Sequence, residues 1–572
     1  MVKTLSLFYL FFLCTYSFAQ DTLKFKKYWV LLTDKNNSYY SINDPAQFLS
    51  PRAIERRSNQ NIPIKENDLP VSKIYVDSIK GQGGQIINRS KWFNAVTIKA
   101  QDSSTLLSIL NLPFVKQISP IAFSKRDPVD YQLKMSTGKT QNFADIKDED
   151  YGLAFNQIKM LNGHLLHQAG YTGKGKLIAV MDAGFKKVDS LSAFDSIMAN
   201  NQVIATYNFV TGNDSVYNSR FSHGTNVLST MAANMPGEII GTAPHAEYLL
   251  LISEDGESEL IIEEDNWVAA IEYADSMGTD IVNSSLGYTT FDDTSMNHTY
   301  QDMDGNTTKI TIAADIAASK GILVVSSAGN EATTSWKYIS APADGDSVLT
   351  VGGVNKNGKY ASFSSIGPTS DGRIKPNVVA QGSASIIVNT KDTIQYGSGT
   401  SFSAPIIAGM AACLWQANPT KTNMEIFKII EISAHQYYTP DYELGFGIPD
   451  FNLANELLMF DSKNSGNDRL INLFPNPFIN TISIFGYTAN AGEGLFEMFD
   501  SSGRNVSSRS INISKDINQD LVPLKNNSSP VKFNSANYFN FTLNNLENLS
   551  QGLYVVRLTI NETTVVKKII KL

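Results

Sequence analysis

Cysteine is almost absent from this chain: two occur in 572 residues, Cys14 and Cys413. That excludes a disulfide-stapled scaffold. No long block of one charge sign occurs, and a net charge of -8 argues against a nucleic-acid or anionic-membrane partner. Beyond the N-terminus no apolar run is long enough for a bilayer-spanning helix. Two hydrolase signatures are missing as well. There is no helical H-E-x-x-H, and Gly399-Thr400-Ser401-Phe402-Ser403 breaks the G-x-S-x-G pattern at its last position.

What is present begins with "MVKTLSLFYLFFLCTYSFAQ". Lys3 supplies a basic start, Leu5 to Leu13 an apolar stretch, and small Ala19 a cleavage position before Gln20. This reads as a secretory signal peptide over residues 1–19, so the expected protein is exported and has no transmembrane anchor. Cys14 leaves with the signal, and Cys413, inside "AACLW", is expected to be buried and inert. An exported chain without disulfides points to a bacterial exoprotein.

The remainder divides by pattern. "KYWVLLTD", "GQIINRS", "WFNAVTIKA" and "PFVKQI" read as strands, and "SPRAIERR" and "SSTLLSILN" as helices, giving a small α+β unit over 20–125. Ser50 is the candidate N-cap of the first helix, with Pro51 at its first position. A polar linker follows over 126–150. From 151 to 458 the apolar runs "KLIAVMDAGF", "EYLLLIS", "DIVNSSLGY" and "GILVVSSAGN" alternate with helical patterns. Strands apolar throughout, alternating with helices, predict a mostly parallel sheet with helices on both faces. A second linker, 459–470, precedes a β-sandwich over 471–572, in which the segment from Ser507 to Pro530 is expected to be a loop.

In parallel sheets of this kind ligands bind at the carboxyl ends of the strands, which directs attention to residues just after the apolar runs. Asp182 ends "LIAVMD", Asn330 ends "GILVVSSAGN", and His223 and Ser401 each open a helical pattern. A hydroxyl becomes a nucleophile when an adjacent base takes its proton. Histidine is the base that titrates near neutrality, and a carboxylate orients it. An amide donor can stabilise the developing oxyanion. Taken singly, each of the four is as readily a cap or turn residue. "YQDMDGNTT" sets Asp302, Asp304 and Asn306 around Gly305 as calcium loops do, but lacks the full twelve-residue pattern, and a solvated turn is the preferred reading.

"VMDAGF", "HGTNVLST", "SSAGNE" and "GTSFSAP" resemble, in order, the four signature blocks of the subtilisin-like serine proteases. The resemblance spans about residues 151–458. It implies a serine endopeptidase acting on protein or peptide substrates, with Asp182 orienting His223, His223 as general base and acid, Ser401 as nucleophile and Asn330 as oxyanion donor. "NSSLGY" resembles the substrate-lining segment, where Ser285, Leu286 and Gly287 would pair an extended peptide. Ala183, Ser222, Asn377 and Gln381 depart from the usual pattern without removing a catalytic group. No cofactor is implied for catalysis, although family members often hold structural calcium. Glu331, beside Asn330, reads equally as a pocket residue and as a solvated loop acid.

The flanks resemble known modules too. Residues 20–125 resemble subtilase prodomains, implying an inhibitor made as part of a zymogen and cleaved within Lys125–Asp150. "LFPNPFINTISI", "FDSSGRNV" and "LSQGLYVVRLTINETTVVKKIIKL" resemble type A sorting domains of the Bacteroidetes type IX secretion system. That machinery is thus an expected partner, and the extracellular space or the outer-membrane surface the expected location. The competing reading is a catalytically inactive, surface-displayed binding protein on the same fold.

Overall fold

The computed structural model describes residues 27–122, 146–437, 439–463, 470–474, 478, 482–488, 492–513, 537–543, 546–560 and 563–572. The signal peptide, most of the Lys125–Asp150 stretch and residues 514–530 of the expected loop lie outside them.

The first unit runs β1 (Lys27–Leu32), α1 (Pro51–Asn59), α2 (Lys73–Gly81), β2 (Gln85–Ser90), β3 (Ala95–Lys99), α3 (Ser103–Leu110) and β4 (Val115–Ala122). Its strands form one antiparallel sheet in the order β2-β3-β1-β4. β1 alternates, burying Tyr28, Val30 and Leu32 against Val76, Ile79 and Ile109. α1 starts as expected: the Ser50 side chain accepts the Ala53 N–H at 3.1 Å and Pro51 occupies the first turn.

The central unit contains α4 (Phe155–Lys159), α5 (Gly163–Gln168), β5 (Leu177–Asp182), α6 (Asp195–Ala199), β6 (Val203–Asn208), α7 (His223–Ala232), β7 (Asn234–Met235), β8 (Ile239–Ile240), β9 (Glu247–Ile252), α8 (Ile262–Met277) and β10 (Ile281–Ser284). It continues with α9 (Lys309–Ser319), β11 (Leu323–Ser327), β12 (Val348–Val354), β13 (Val378–Gln381), β14 (Ser385–Val388), β15 (Ile394–Gly397), α10 (Thr400–Ala417), α11 (Asn423–Ile432) and α12 (Phe451–Lys463). Seven strands form a parallel sheet in the order β13-β12-β11-β10-β5-β9-β6. Each face has its own core. Ile178 and Val180 of β5 pack with α7 and α10, whereas Leu177, Ala179 and Met181 pack with α8 and α9. A strand covered on both faces favours apolar side chains on both, and β5 is buried along its whole length and apolar up to Asp182.

The last unit holds β16 (Leu470–Phe474), β17 (Ile482–Thr488), β18 (Gly492–Phe499), β19 (Asn505–Ile513), β20 (Asn537–Leu543), β21 (Gly552–Ile560) and β22 (Thr563–Lys571). They form two antiparallel sheets, β16-β17-β20 and β19-β18-β21-β22, sharing a core of Phe478, Ile484, Phe496 and Val556. One expectation is corrected. Ser507 to Ile513, read as loop, is strand, because β18 supplies a full antiparallel ladder to a segment whose own side chains carry little apolar signal.

The first sheet lies on α8. The Asn88 amide donates to Asn266 at 2.8 Å, Thr97 to Asp265 at 3.0 Å, and Ser90 Oγ and the Lys91 and Trp92 N–H groups to Glu272. Arg56, Arg57 and Lys91 converge on Asp275 at 2.6–3.0 Å.

Candidate active site

Asp182 is the last residue of β5 and is fully buried. Its Oδ1 accepts the Ala183 N–H at 2.8 Å. His223 is the first residue of α7, and its Nδ1–H donates to both carboxylate oxygens, at 2.9 and 3.0 Å. The close approach depends on Gly224, where a Cβ would stand 2.7 Å from Gly184 O and 2.9 Å from the Asp182 Cβ. The Asp182 charge raises the histidine pKa to about 9 against the lowering effect of burial, with Glu254 adding to the rise.

Ser401 is the second residue of α10, a buried helix whose N-cap, Gly399, has φ 151°. Pro405 lies four residues further on. It has no N–H for the Ser401 carbonyl, so that oxygen is left without its helical partner. Ser285 Oγ supplies the missing donor at 3.0 Å, and Ser401 Oγ donates in return to Ser285 O at 3.4 Å. The His223 ring lies 6.2 Å from that of Phe402, the residue after the serine. Asn330 is tied to the same helix start. Its Oδ1 accepts the Thr400 N–H at 2.9 Å and the Thr400 hydroxyl at 3.2 Å. A backbone N–H requires an acceptor, which fixes the amide orientation and leaves Nδ2 as the donor.

Asp182, His223, Asn330, Ser401 and Ser285 therefore meet at the carboxyl end of the sheet. Leu286 is buried in the α8–α9 core, and Gly287 is exposed with a Cβ position only 2.2 Å from Ser340 Oγ.

A model of the subtilase family matches residues 173–447, and one of the Bacteroidota peptidase S8 propeptide domain matches 27–138. The chain is 31% identical over 305 residues to a subtilisin of Bacillus pumilus, covering 52% of this chain and 97% of that one. It belongs to the subtilase family. Further relatives include subtilisin NAT of Bacillus subtilis subsp. natto, 28% identical over 385 residues, covering 66% of this chain and 85% of the relative. The thermostable alkaline protease of Halalkalibacterium halodurans is 28% identical over 286 residues, covering 50% and 68%. The protein is thus a serine endopeptidase made as a zymogen, with the first sheet as its propeptide domain.

In this subtilase the unusual residues have local reasons. Asn377 stands where an Asp is usual, and its Nδ2 donates to Glu431 at 2.8 Å while Oδ1 accepts from Thr350 N and Lys375 Nζ. A carboxylate there would face Glu431 with like charge. Gln381 likewise uses both ends, accepting from Asn156 and donating to Ala384 O. Asp302 and Asp304 are occupied within their own turns, accepting from Thr299 and from Asn306 and Thr307. Glu331 accepts from Thr334. Among the described residues no cluster of His, Cys, Asp and Glu is arranged to hold a metal, and no helix is long and apolar enough to cross a membrane. Cys413 is buried, donating to Thr242 O at 3.1 Å, and burial pushes its thiol up.

Sequence reasoning passed over the acids that follow β9. Glu254, Glu259 and Glu263 stand close to the site, and their only signal was an acid-rich stretch, "SEDGESELIIEED".

Proposed function

We propose that the protein cleaves polypeptides with Ser401 as nucleophile, His223 as general base and acid, and Asp182 holding the imidazole in the tautomer whose Nε2 accepts a proton. Ser401 Oγ attacks the scissile carbonyl carbon as its proton passes to His223. The carbonyl oxygen takes the negative charge, facing Asn330 Nδ2 and the Ser401 N–H at the start of α10. His223 gives the proton to the departing amine, and water then releases the acyl group by the same path. Ser285, Leu286 and Gly287 pair the substrate as an added strand. The observation that carries this reading is the two-oxygen grip of buried Asp182 on His223 Nδ1, beside a serine held by Ser285 at the head of α10. The serine hydroxyl rests on Ser285 O, so the first step includes its rotation toward His223; catalytic hydrogen bonds commonly tighten only with substrate bound.

No cofactor is required for this chemistry, so chelation with EDTA is expected to leave casein hydrolysis unchanged. Secretion through the signal peptide and type IX sorting through residues 471–572 complete the proposal, resting on "FPNPF", Gly503, Gly552 and the basic "KKIIK" terminus. The deciding experiment compares wild type and Ser401→Ala after prodomain removal. Wild type should digest casein and react with a fluorophosphonate, and the variant should do neither. A wild type that cleaves nothing favours the inactive binding protein instead.

A further inference from the structure

Beside the proposed triad lies a group of acids that the mechanism does not use. Glu254 follows Ser253, whose N–H donates to Asp182 O at 3.2 Å, and the charges of Asp182 and His223 both act on it. Glu263, in the first turn of α8, is 0% exposed. Its Oε1 accepts the Leu260 N–H at 3.3 Å and its Oε2 has no partner. Tyr288, one residue past Gly287, is 1% exposed, and its hydroxyl has no partner either. Glu254, Glu259 and Glu263 all bear on that hydroxyl. Glu254 and Glu259 are half-buried, so the outer edge of the group meets solvent while Glu263 and Tyr288 lie behind it.

Burial, and then neighbouring acids, push Glu254 up to about 8, Glu259 to about 7 and Glu263 to about 10. His223 alone pulls Glu254 the other way. Arg220, three residues before His223, pairs instead with Glu257, and both are exposed. Glu263 Oε2 and the Tyr288 hydroxyl are two of several such atoms, and a buried polar atom without a partner calls for an explanation, a functional role or a bound ion among them.

The side of the cleft follows from the propeptide. Ile121, at the end of β4, packs against Ile262, next to Glu263, with Leu260 and Ile261 alongside. Propeptide residues lie on the acyl side of the bond whose cleavage releases the propeptide. The acids therefore line the acyl side of the site. The chain's own first substrate matches in charge, since Lys125 and Arg126 come within four residues of Ala122 in the sequence.

Resting on the protease reading above, we propose that Glu254, Glu259, Glu263 and the Tyr288 hydroxyl form a subsite for a lysine or arginine side chain of the substrate, on the acyl side of the scissile bond. The ammonium or guanidinium supplies the donors that Glu263 Oε2 and Tyr288 lack, and a peptide carrying it is held by charge-assisted hydrogen bonds. A bare metal ion fits less well, because the acids are not grouped as metal ligands.

The test is cut-site sequencing of a peptide library digested by the mature enzyme, followed by kinetics on two fluorogenic peptides differing only by Lys or norleucine at the preferred position. One position upstream of the cut should favour Lys and Arg. The Lys-to-norleucine ratio of kcat/KM should fall at least about tenfold in Glu263→Gln. Glu259→Gln, at a half-buried site that tolerates change, should lower the ratio in the same direction and guards against a misfolded Glu263 variant. Active enzyme with no basic preference upstream, or with a ratio unmoved in both variants, overturns the subsite while leaving the protease reading intact. Enzyme that neither labels with fluorophosphonate nor cleaves any peptide overturns both.

Discussion

Two carboxyls on the same helix meet opposite fates. Asp275, near the end of α8, and Glu263, near its start, are both fully buried. Burial alone would push Asp275 up, yet Lys91, Arg57 and Arg56 outweigh it and hold the group well below the usual carboxylate range. Glu263 has no such company and rises to about 10. The difference lies in what covers each end. The propeptide brings three cations to Asp275, Arg56 and Arg57 from α1 and Lys91 from just after β2, whereas to the start of α8 it brings apolar Ile121 with polar Thr97 and Asn88, and there substrate is the missing neighbour. One helix thus carries a satisfied interface at one end and an unsatisfied site at the other.

The strongest way to break this contrast is Asp275→Ala in the full-length zymogen. It removes the shared carboxylate of three buried cations, of which Arg57 keeps Asp68, and losing one partner of a buried ionic cluster costs about 3–5 kcal/mol. Folding yield and inhibition by the propeptide added in trans should both drop sharply; an unchanged inhibition constant would show that the cluster is dispensable. Next in size is Asn330→Ala, on the cleft side. It should reduce kcat by about 10²–10³, as loss of a comparable oxyanion donor does in subtilisin, with KM little altered. Equal loss in KM would instead assign Asn330 to substrate binding.

A smaller effect concerns pH. A protonated His223 cannot act as base, and Asp182 with Glu254 holds its proton up to about pH 9. The rate should therefore climb as pH rises through that value. Glu254→Gln removes a negative neighbour, so the proton should leave more easily and the rising limb should move to lower pH. A limb that sits near the ordinary histidine value of about 6.5 would contradict the assignment. The smallest change is expected for Arg52→Ala. Its pairs with Glu247 and Asp280 are about one-third exposed on the arginine side, and such pairs contribute about 0–1 kcal/mol. A thermal melt of the zymogen should hardly shift.

Much was legible in the chain. Fully apolar runs such as "LIAVM" announce strands buried on both faces, Ser50-Pro51 announces a helix start, and the four ordered blocks name the residues that now meet at one end of the sheet. The strand at Ser507–Ile513 was not legible, since its pairing comes from β18 and not from its own side chains. Nor was the hold on the Ser401 carbonyl: Pro405 reveals that a donor is missing, but nothing local says that Ser285, 116 residues away, provides it.

The chain by itself determined most of the element types, the parallel sheet and the candidates for the reactive groups, because periodicity and motif are local properties. Tertiary structure decided which acids are neutralised. Desolvation and Coulomb attraction depend on distance through space and on what excludes water, so Asp275 and Glu263 differ only once the propeptide sets three cations against one end of α8 and the apolar Ile121 against the other.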